Sequence, residues 1–237
     1  VHGGFASHVL VPAAPLVSLD GAPTGISLEE ISVVADAVST AYQATVRAGL
    51  AEGDLAVVVG AGGVGGFLVQ IARARGARVI ACDVKPAALE AAAAFGAEHT
   101  IDVSGREPRE VRKEVRGLAK EWGIPSLNHR IFEASGTAPG QTLAYAFLGP
   151  AATLLLVGFT PEKVPTRLSN LMAFDASVHG TWGCPPDAYP PVLELIYSGA
   201  VQLAPVVAHA PMSKLNELLD DMASHRLERR MILHPED

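Results

Sequence analysis

The sequence predicts a doubly wound α/β protein built on a six-stranded parallel sheet. Three observations predict it. From Leu55 onward, short β-branched runs alternate with longer helical patterns. Two of those runs, Leu-Ala-Val-Val-Val at 55–59 and Thr-Leu-Leu-Leu-Val at 153–157, are apolar without alternation, as strands buried on both faces must be. A glycine-rich stretch, Gly-Ala-Gly-Gly-Val-Gly-Gly at 60–66, separates the first strand of the series from its first helix.

Taken in order, the predicted strands are Leu55–Gly60, Arg78–Asp83, Glu98–Val103, Arg130–Glu133, Thr153–Gly158 and Ser177–Trp182, with helices near 63–75, 86–95, 107–121, 139–148 and 168–174. Ahead of them, residues 1–26 hold two extended runs, Phe-Ala-Ser-His-Val-Leu-Val and Ala-Pro-Leu-Val-Ser-Leu-Asp, punctuated by proline and glycine. Ser27-Leu28-Glu29-Glu30 has the capping-box form, a hydroxyl at the cap and Glu three residues on, and predicts a helix reaching Arg47. The tail predicts a helix over Tyr189–Ser198, an extended piece over Val206–Ala210, a helix from Ser213 to Ser224 and a last strand, Arg-Arg-Met-Ile-Leu at 229–233. The flanks read as a second domain interrupted by the first, with boundaries at 1–37, 38–182 and 183–237.

Composition excludes several classes of function. With 18 Lys and Arg against 25 Asp and Glu, the net charge of −7 draws the chain neither to nucleic acid nor to anionic lipid. The longest apolar stretch, Ala151 to Phe159, is far short of the roughly 20 residues of a membrane helix. The opening has no signal-peptide form, so a cytoplasmic location is expected. Cys82 and Cys184 are too far apart for a CxxC pair and too few for a disulfide framework. The chain opens on Val1 rather than Met, and this is expected not to be the natural start.

The glycines carry the chemistry. Gly60, Gly62 and Gly65 fit G-x-G-x-x-G directly after a predicted strand and at the start of a predicted helix, with Gly63 and Val64 filling the turn. In that setting the first glycine permits the tight turn, the second lets the backbone approach a pyrophosphate, and the third lets helix and strand pack closely. The helix end then offers unpaired N–H groups to phosphate. Asp83 lies 18 positions past Gly65, near the roughly 20 at which an acid binds the adenine ribose hydroxyls and repels a 2′-phosphate. NAD is favoured over NADP. The plainer alternative makes the glycines a turn and Asp83 a cap for the helix at Pro86. Ser135 and Gly136 after the fourth strand, and Val157 and Gly158 after the fifth, could let a flat nicotinamide lie against backbone, or serve as ordinary turns.

The stretch Val57–Asp83, preceded by Ala-Asp-Ala-Val-Ser-Thr-Ala-Tyr-Gln-Ala-Thr-Val-Arg-Ala-Gly-Leu-Ala-Glu-Gly-Asp at 35–54, resembles the medium-chain, zinc-dependent alcohol dehydrogenases, and the resemblance runs over nearly the whole length given. The resemblance implies a Rossmann domain set within a split, GroES-like, β-rich catalytic domain, with NAD and zinc as cofactors. Carried over residue by residue, it implies that Thr40 lies near the nicotinamide, that Asp36 is a catalytic zinc ligand, and that Arg230 lies near the cofactor phosphates. Plainer readings make Asp36 an exposed helix acid and Arg230 a solvated charge. The remaining zinc ligands and the proton relay are expected upstream of Val1, so neither Cys184 nor the eight histidines are assigned as substitutes.

Within that family, the segments Val-Ser-Thr-Ala-Tyr-Gln-Ala (38–44), Ile-Phe-Glu-Ala-Ser-Gly-Thr-Ala-Pro-Gly-Gln-Thr (131–142), the stretch 157–174 and the stretch 180–196 resemble the dehydrogenases of 6-hydroxycyclohex-1-ene-1-carbonyl-CoA. This implies NAD-dependent oxidation of a cyclic hydroxyacyl-CoA in anaerobic benzoyl-CoA degradation. Family habit also implies a homo-oligomer, dimer or tetramer, paired through Ser-Val-His-Gly-Thr-Trp at 177–182. Alternatives are a general zinc alcohol dehydrogenase, a zinc-free quinone-reductase-like enzyme, which Asp83 disfavours, and a dinucleotide-binding module without catalysis.

Overall fold

A computed structural model describes residues 3–224, 226–227 and 229–235; Val1, His2, His225, Glu228, Glu236 and Asp237 lie outside it. The chain divides into two compact units, residues 36–184, and 1–35 together with 185–237.

The smaller unit departs from expectation at its start. Residues 3–26 form no strand among the described residues, and Leu10 is 95 % exposed. Among the described residues the two extended runs join no ladder, and without one an extended segment is not a strand. The predicted helix over 28–47 is broken. Ser27 caps only α1 (Leu28–Ile31), accepting the Glu30 N–H at 3.3 Å, while its hydroxyl donates to Glu29 Oε2, so only half of the capping box forms. A 3₁₀ turn (Ser32–Val34) follows, its two valines buried. Asp36, with extended backbone, then starts α2 (Ala37–Arg47), its carbonyl accepting the Thr40 N–H at 2.8 Å. Burial of Val33 and Val34 sets the path there, where helical periodicity alone would have run on.

In the larger unit the strands are β1 (Leu55–Val59), β2 (Arg78–Asp83), β3 (His99–Asp102), β4 (Arg130–Glu133), β5 (Thr153–Leu156) and β6 (Ser177–Gly180). They form one parallel sheet in the order β3-β2-β1-β4-β5-β6. The connecting helices are α3 (Gly63–Ala74), α4 (Pro86–Ala94), α5 (Pro108–Glu121), α6 (Ala138–Ala146) and α7 (Ser169–Phe174). Each predicted strand is present, and the terminal residues Gly60, Val157–Gly158 and Thr181–Trp182 belong to the turns beyond. All five β1 residues are buried. Val57 and Val59 join Ile80, Cys82 and Ile131 in a core closed by Val111, Val115 and Ala119 of α5, spaced four apart on one helical face. Parallel strands need both faces covered, and the apolar runs supply that burial.

The strand order reverses between β1 and β4, β1 lying between β2 and β4. A crevice therefore opens where the chain leaves these two strands in opposite directions.

The other unit also contains α8 (Tyr189–Tyr197), α9 (Leu215–Ala223) and a parallel pair, β7 (Val207–Pro211) with β8 (Arg230–His234). Residues 212–214 form a separate 3₁₀ turn ahead of α9. Among the described residues, no helix is long and apolar enough to cross a membrane.

Candidate functional site

The crevice is built from four turns at the carboxyl ends of β1, β2, β4 and β5. After β1, Gly60 has φ +86° and gives its N–H to Cys82 at 2.8 Å. A methyl group on it would stand 2.5 Å from the Ser135 nitrogen. A methyl on Gly65 would lie 1.7 Å from the Gly60 carbonyl oxygen, so α3 can approach β1 only with glycine there.

Gly62 is different. It stands before α3 with φ −78° and ψ 175°, a conformation open to any residue, and a methyl there would meet nothing within 4 Å. Neither backbone nor packing requires glycine at this position. The first hydrogen bond into α3 runs from Gly66 N–H to the Gly62 carbonyl at 3.2 Å, so the N–H groups of Gly63, Val64 and Gly65 have no partner within the helix. They provide the donor set and partial positive charge that bind an anion.

Asp83 closes β2 beside this turn. Its Oδ2 accepts the Ala61 N–H at 2.7 Å, and Oδ1 accepts those of Val84 and Lys85 at 2.7 and 2.9 Å. The carboxylate is thus tied to the glycine turn and held in one orientation with acceptor capacity remaining, since two oxygens offer about four lone-pair sites. The cap reading is not what forms, because α4 carries no side-chain cap at all.

Ser135, Gly136, Val157 and Gly158 come together. Gly136, at φ +64°, lies against Phe159, and a methyl on Gly158 would be 2.2 Å from the Gly136 nitrogen. Gln141 Nε2 donates to the Gly158 carbonyl at 3.4 Å. Beneath these turns is a group that sequence reasoning passed over, the side chain of Glu133. It is fully buried, and its Oε1 accepts from Ser135 N–H, Ser135 Oγ–H and Gly136 N–H. Its one sequence signal is a charge ending the apolar run Ile-Phe-Glu.

Thr40, nearly buried, donates its hydroxyl to Asp36 Oδ1 at 3.3 Å, so these two form a pair at the start of α2. Among the described residues no three His, Cys, Asp or Glu side chains gather to hold a metal. Arg230 lies in the other unit, opposite Val207 in the β7–β8 ladder. Cys82 is fully buried in the core, which pushes its thiol up to about 12, and so plays no part as a nucleophile. A groove of about 690 Å³ lined by Arg116, Lys120, Pro125 and His129 precedes β4, at the opposite end of the sheet from the glycine turns.

Residues 63–198 match the family model described as zinc-binding dehydrogenase, over more than half of the chain. The chain belongs to the zinc-binding dehydrogenase family. It is 31 % identical over 209 residues to an Agrobacterium fabrum protein provisionally named D-xylulose reductase, covering 88 % of this chain and 56 % of that one. It is 24 % identical over 233 residues to an alcohol dehydrogenase of Geobacillus stearothermophilus, covering 98 % and 65 %. Among solved structures, alcohol dehydrogenase TADH from Thermus sp. ATN1 superposes with a TM-score of 0.76 at 25 % identity, over 90 % of this chain and 60 % of that one. The chain spans little more than half the length of the curated relatives it matches.

Proposed function

We propose that residues 36–184 bind NAD as the cofactor domain of an alcohol or polyol dehydrogenase, and that residues 1–35 and 185–237 belong to its split catalytic domain. The observation that carries the cofactor reading is Gly62, a glycine the fold does not require, at the mouth of an unpaired helix end and beside a carboxylate held in one orientation. Gly62 leaves room for a pyrophosphate, the N–H groups of Gly63, Val64 and Gly65 bind it, and Asp83 accepts the ribose hydroxyls. Ser135, Gly136, Val157 and Gly158 form the surface for the nicotinamide, with Thr40 beside it; the family resemblance alone also proposes Arg230 as a residue for the cofactor phosphates. The cofactor itself supplies hydride acceptance.

Zinc fits less completely. The metal would act as a Lewis acid on the alcohol oxygen, and Asp36 is the ligand proposed here. The described residues do not complete a coordination sphere among themselves, so no step is derived through it.

For the substrate we propose a secondary cyclic alcohol, 6-hydroxycyclohex-1-ene-1-carbonyl-CoA, on the resemblance of the four segments Val38–Ala44, Ile131–Thr142, 157–174 and 180–196. The relatives' names support alcohols and polyols in general. A homo-oligomer paired along β6 is proposed on the exposure of that edge strand and of Trp182, which is 93 % exposed.

Calorimetric titration tests the cofactor site. The chain is expected to bind NAD, and NADP at least about tenfold more weakly. Gly62→Ala is expected to fold with unchanged stability and to weaken NAD by about tenfold or more, whereas Gly65→Ala should lose about 2 kcal/mol or more of stability. A Gly62→Ala protein that binds NAD as tightly as the wild type overturns the reading. For the substrate, NAD reduction by the natural gene product is compared between the cyclic hydroxyacyl-CoA and simple secondary alcohols, with zinc quantified. Turnover of simple alcohols only removes the CoA substrate and leaves the dehydrogenase.

A further inference from the structure

Glu133 ends β4 with a charge directly after the buried apolar pair Ile131 and Phe132, and none of its surface reaches solvent. Two sets of bonds radiate from it. Oε1 accepts from the Ser135 N–H at 2.8 Å, the Ser135 hydroxyl at 2.5 Å and the Gly136 N–H at 3.1 Å. Its main-chain carbonyl accepts the N–H groups of Val157 and Gly158 at 2.9 and 3.0 Å. One residue thereby fastens the turns after β4 and β5 to each other.

The second carboxyl oxygen, Oε2, is buried and has no hydrogen-bond partner. It lies directly beneath the β5 turn, since a methyl on Gly158 would stand 2.9 Å from it. A buried, half-satisfied carboxylate is costly, and a fold that needed only an acceptor for the Ser135–Gly136 turn would be served by a neutral amide. Burial pushes this carboxyl above the usual range, the bonds from Ser135 and Gly136 pull it back, and no charged side chain on any neighbouring element contributes.

The cofactor reading above, on which this inference rests, lays the nicotinamide on these same two turns. That ring is a cation when oxidised and neutral when reduced. We propose that Glu133 is a positioning residue that reads the redox state of the cofactor: its carboxylate, fastened through Oε1 to the Ser135–Gly136 turn and unpartnered at Oε2 beneath Gly158, favours the oxidised nicotinamide over the reduced one. It acts through the turn it supports and takes no part in hydride transfer. The preference belongs to the ionised form, so it is present at high pH and disappears as Glu133 takes up its proton.

The test is calorimetric titration of the 237-residue chain with NAD⁺, NADH and ADP-ribose over a pH series that begins at about 9, on the ionised side of the raised Glu133 titration. Glu133→Gln keeps an acceptor for the three donors and removes the charge. It is expected to weaken NAD⁺ by about tenfold while leaving NADH and ADP-ribose within about twofold. In the wild type, the ratio of the two affinities is expected to fall toward that of the variant as pH is lowered. This series decides the matter if Glu133→Gln misfolds, as loss of ADP-ribose binding would reveal. Equal weakening of NAD⁺ and NADH in the variant, an unchanged ratio, or a wild-type ratio independent of pH overturns the proposal. Failure of the wild type to bind either dinucleotide overturns the cofactor reading itself, a different result from binding without discrimination.

Discussion

At the scale of single residues, the two cofactor contacts proposed above, Gly62 and Asp83, were legible in the sequence because their signals are local. A glycine motif after a strand and an acid at the end of the next strand need only chain order to be recognised. Glu133 was not, because what distinguishes it is the burial of one carboxyl oxygen, and burial depends on β1, β5 and α6 closing over it. His129 shows the same dependence and yields a pH prediction. It is 8 % exposed, its Nε2 lies 2.9 Å from the Pro125 carbonyl, and burial holds its pKa below the usual 6.5. As pH falls through 6.5, the unfolded chain takes up this proton more readily than the native state does. Its contribution to stability is therefore full above that pH and is lost below it, with a slope of at most about 1.4 kcal/mol per pH unit. Urea midpoints measured between pH 8 and 5 are expected to show this component, and His129→Gln to lack it.

At the scale of elements, the helices and strands of residues 55–180 follow their sequence patterns because each pattern states which face is covered. On α5, Val111, Val115 and Ala119 are buried while Arg109, Glu110 and Lys113 are exposed. Val115→Ala is expected to cost about 2 kcal/mol, read as a lowered urea midpoint with an unchanged slope. The failures have one cause. Between Ile31 and Ala37 the periodicity is compatible with continuous helix, and nothing local marks the turn at Ser32–Val34. The runs in residues 3–26 have strand composition, yet a strand exists only when a neighbour completes its hydrogen bonds.

At the scale of the whole molecule, β6 is one of the two edge strands of the six-stranded sheet, β3 being the other. The N–H groups of Ser177 and Thr181 turn inward to Ala152 and Leu156, so by alternation those of Val178 and Gly180 point outward. Gly180→Pro removes an outward donor without breaking a bond to β5, and a methyl at that position meets nothing within 4 Å. If the proposed oligomer pairs along this edge, the variant is expected to elute as a smaller species by light-scattering chromatography with its melting curve otherwise cooperative; an unchanged mass removes the edge as the interface. By itself the sequence determined the order of strands and helices, the glycine turn and the acid beside it, because all of these are written in spacing and periodicity along the chain. Only the tertiary structure decided which glycines the fold requires and which it does not, and which carboxylate is buried short of a partner. Those are properties of the space around a residue, and that space is enclosed by segments distant in sequence.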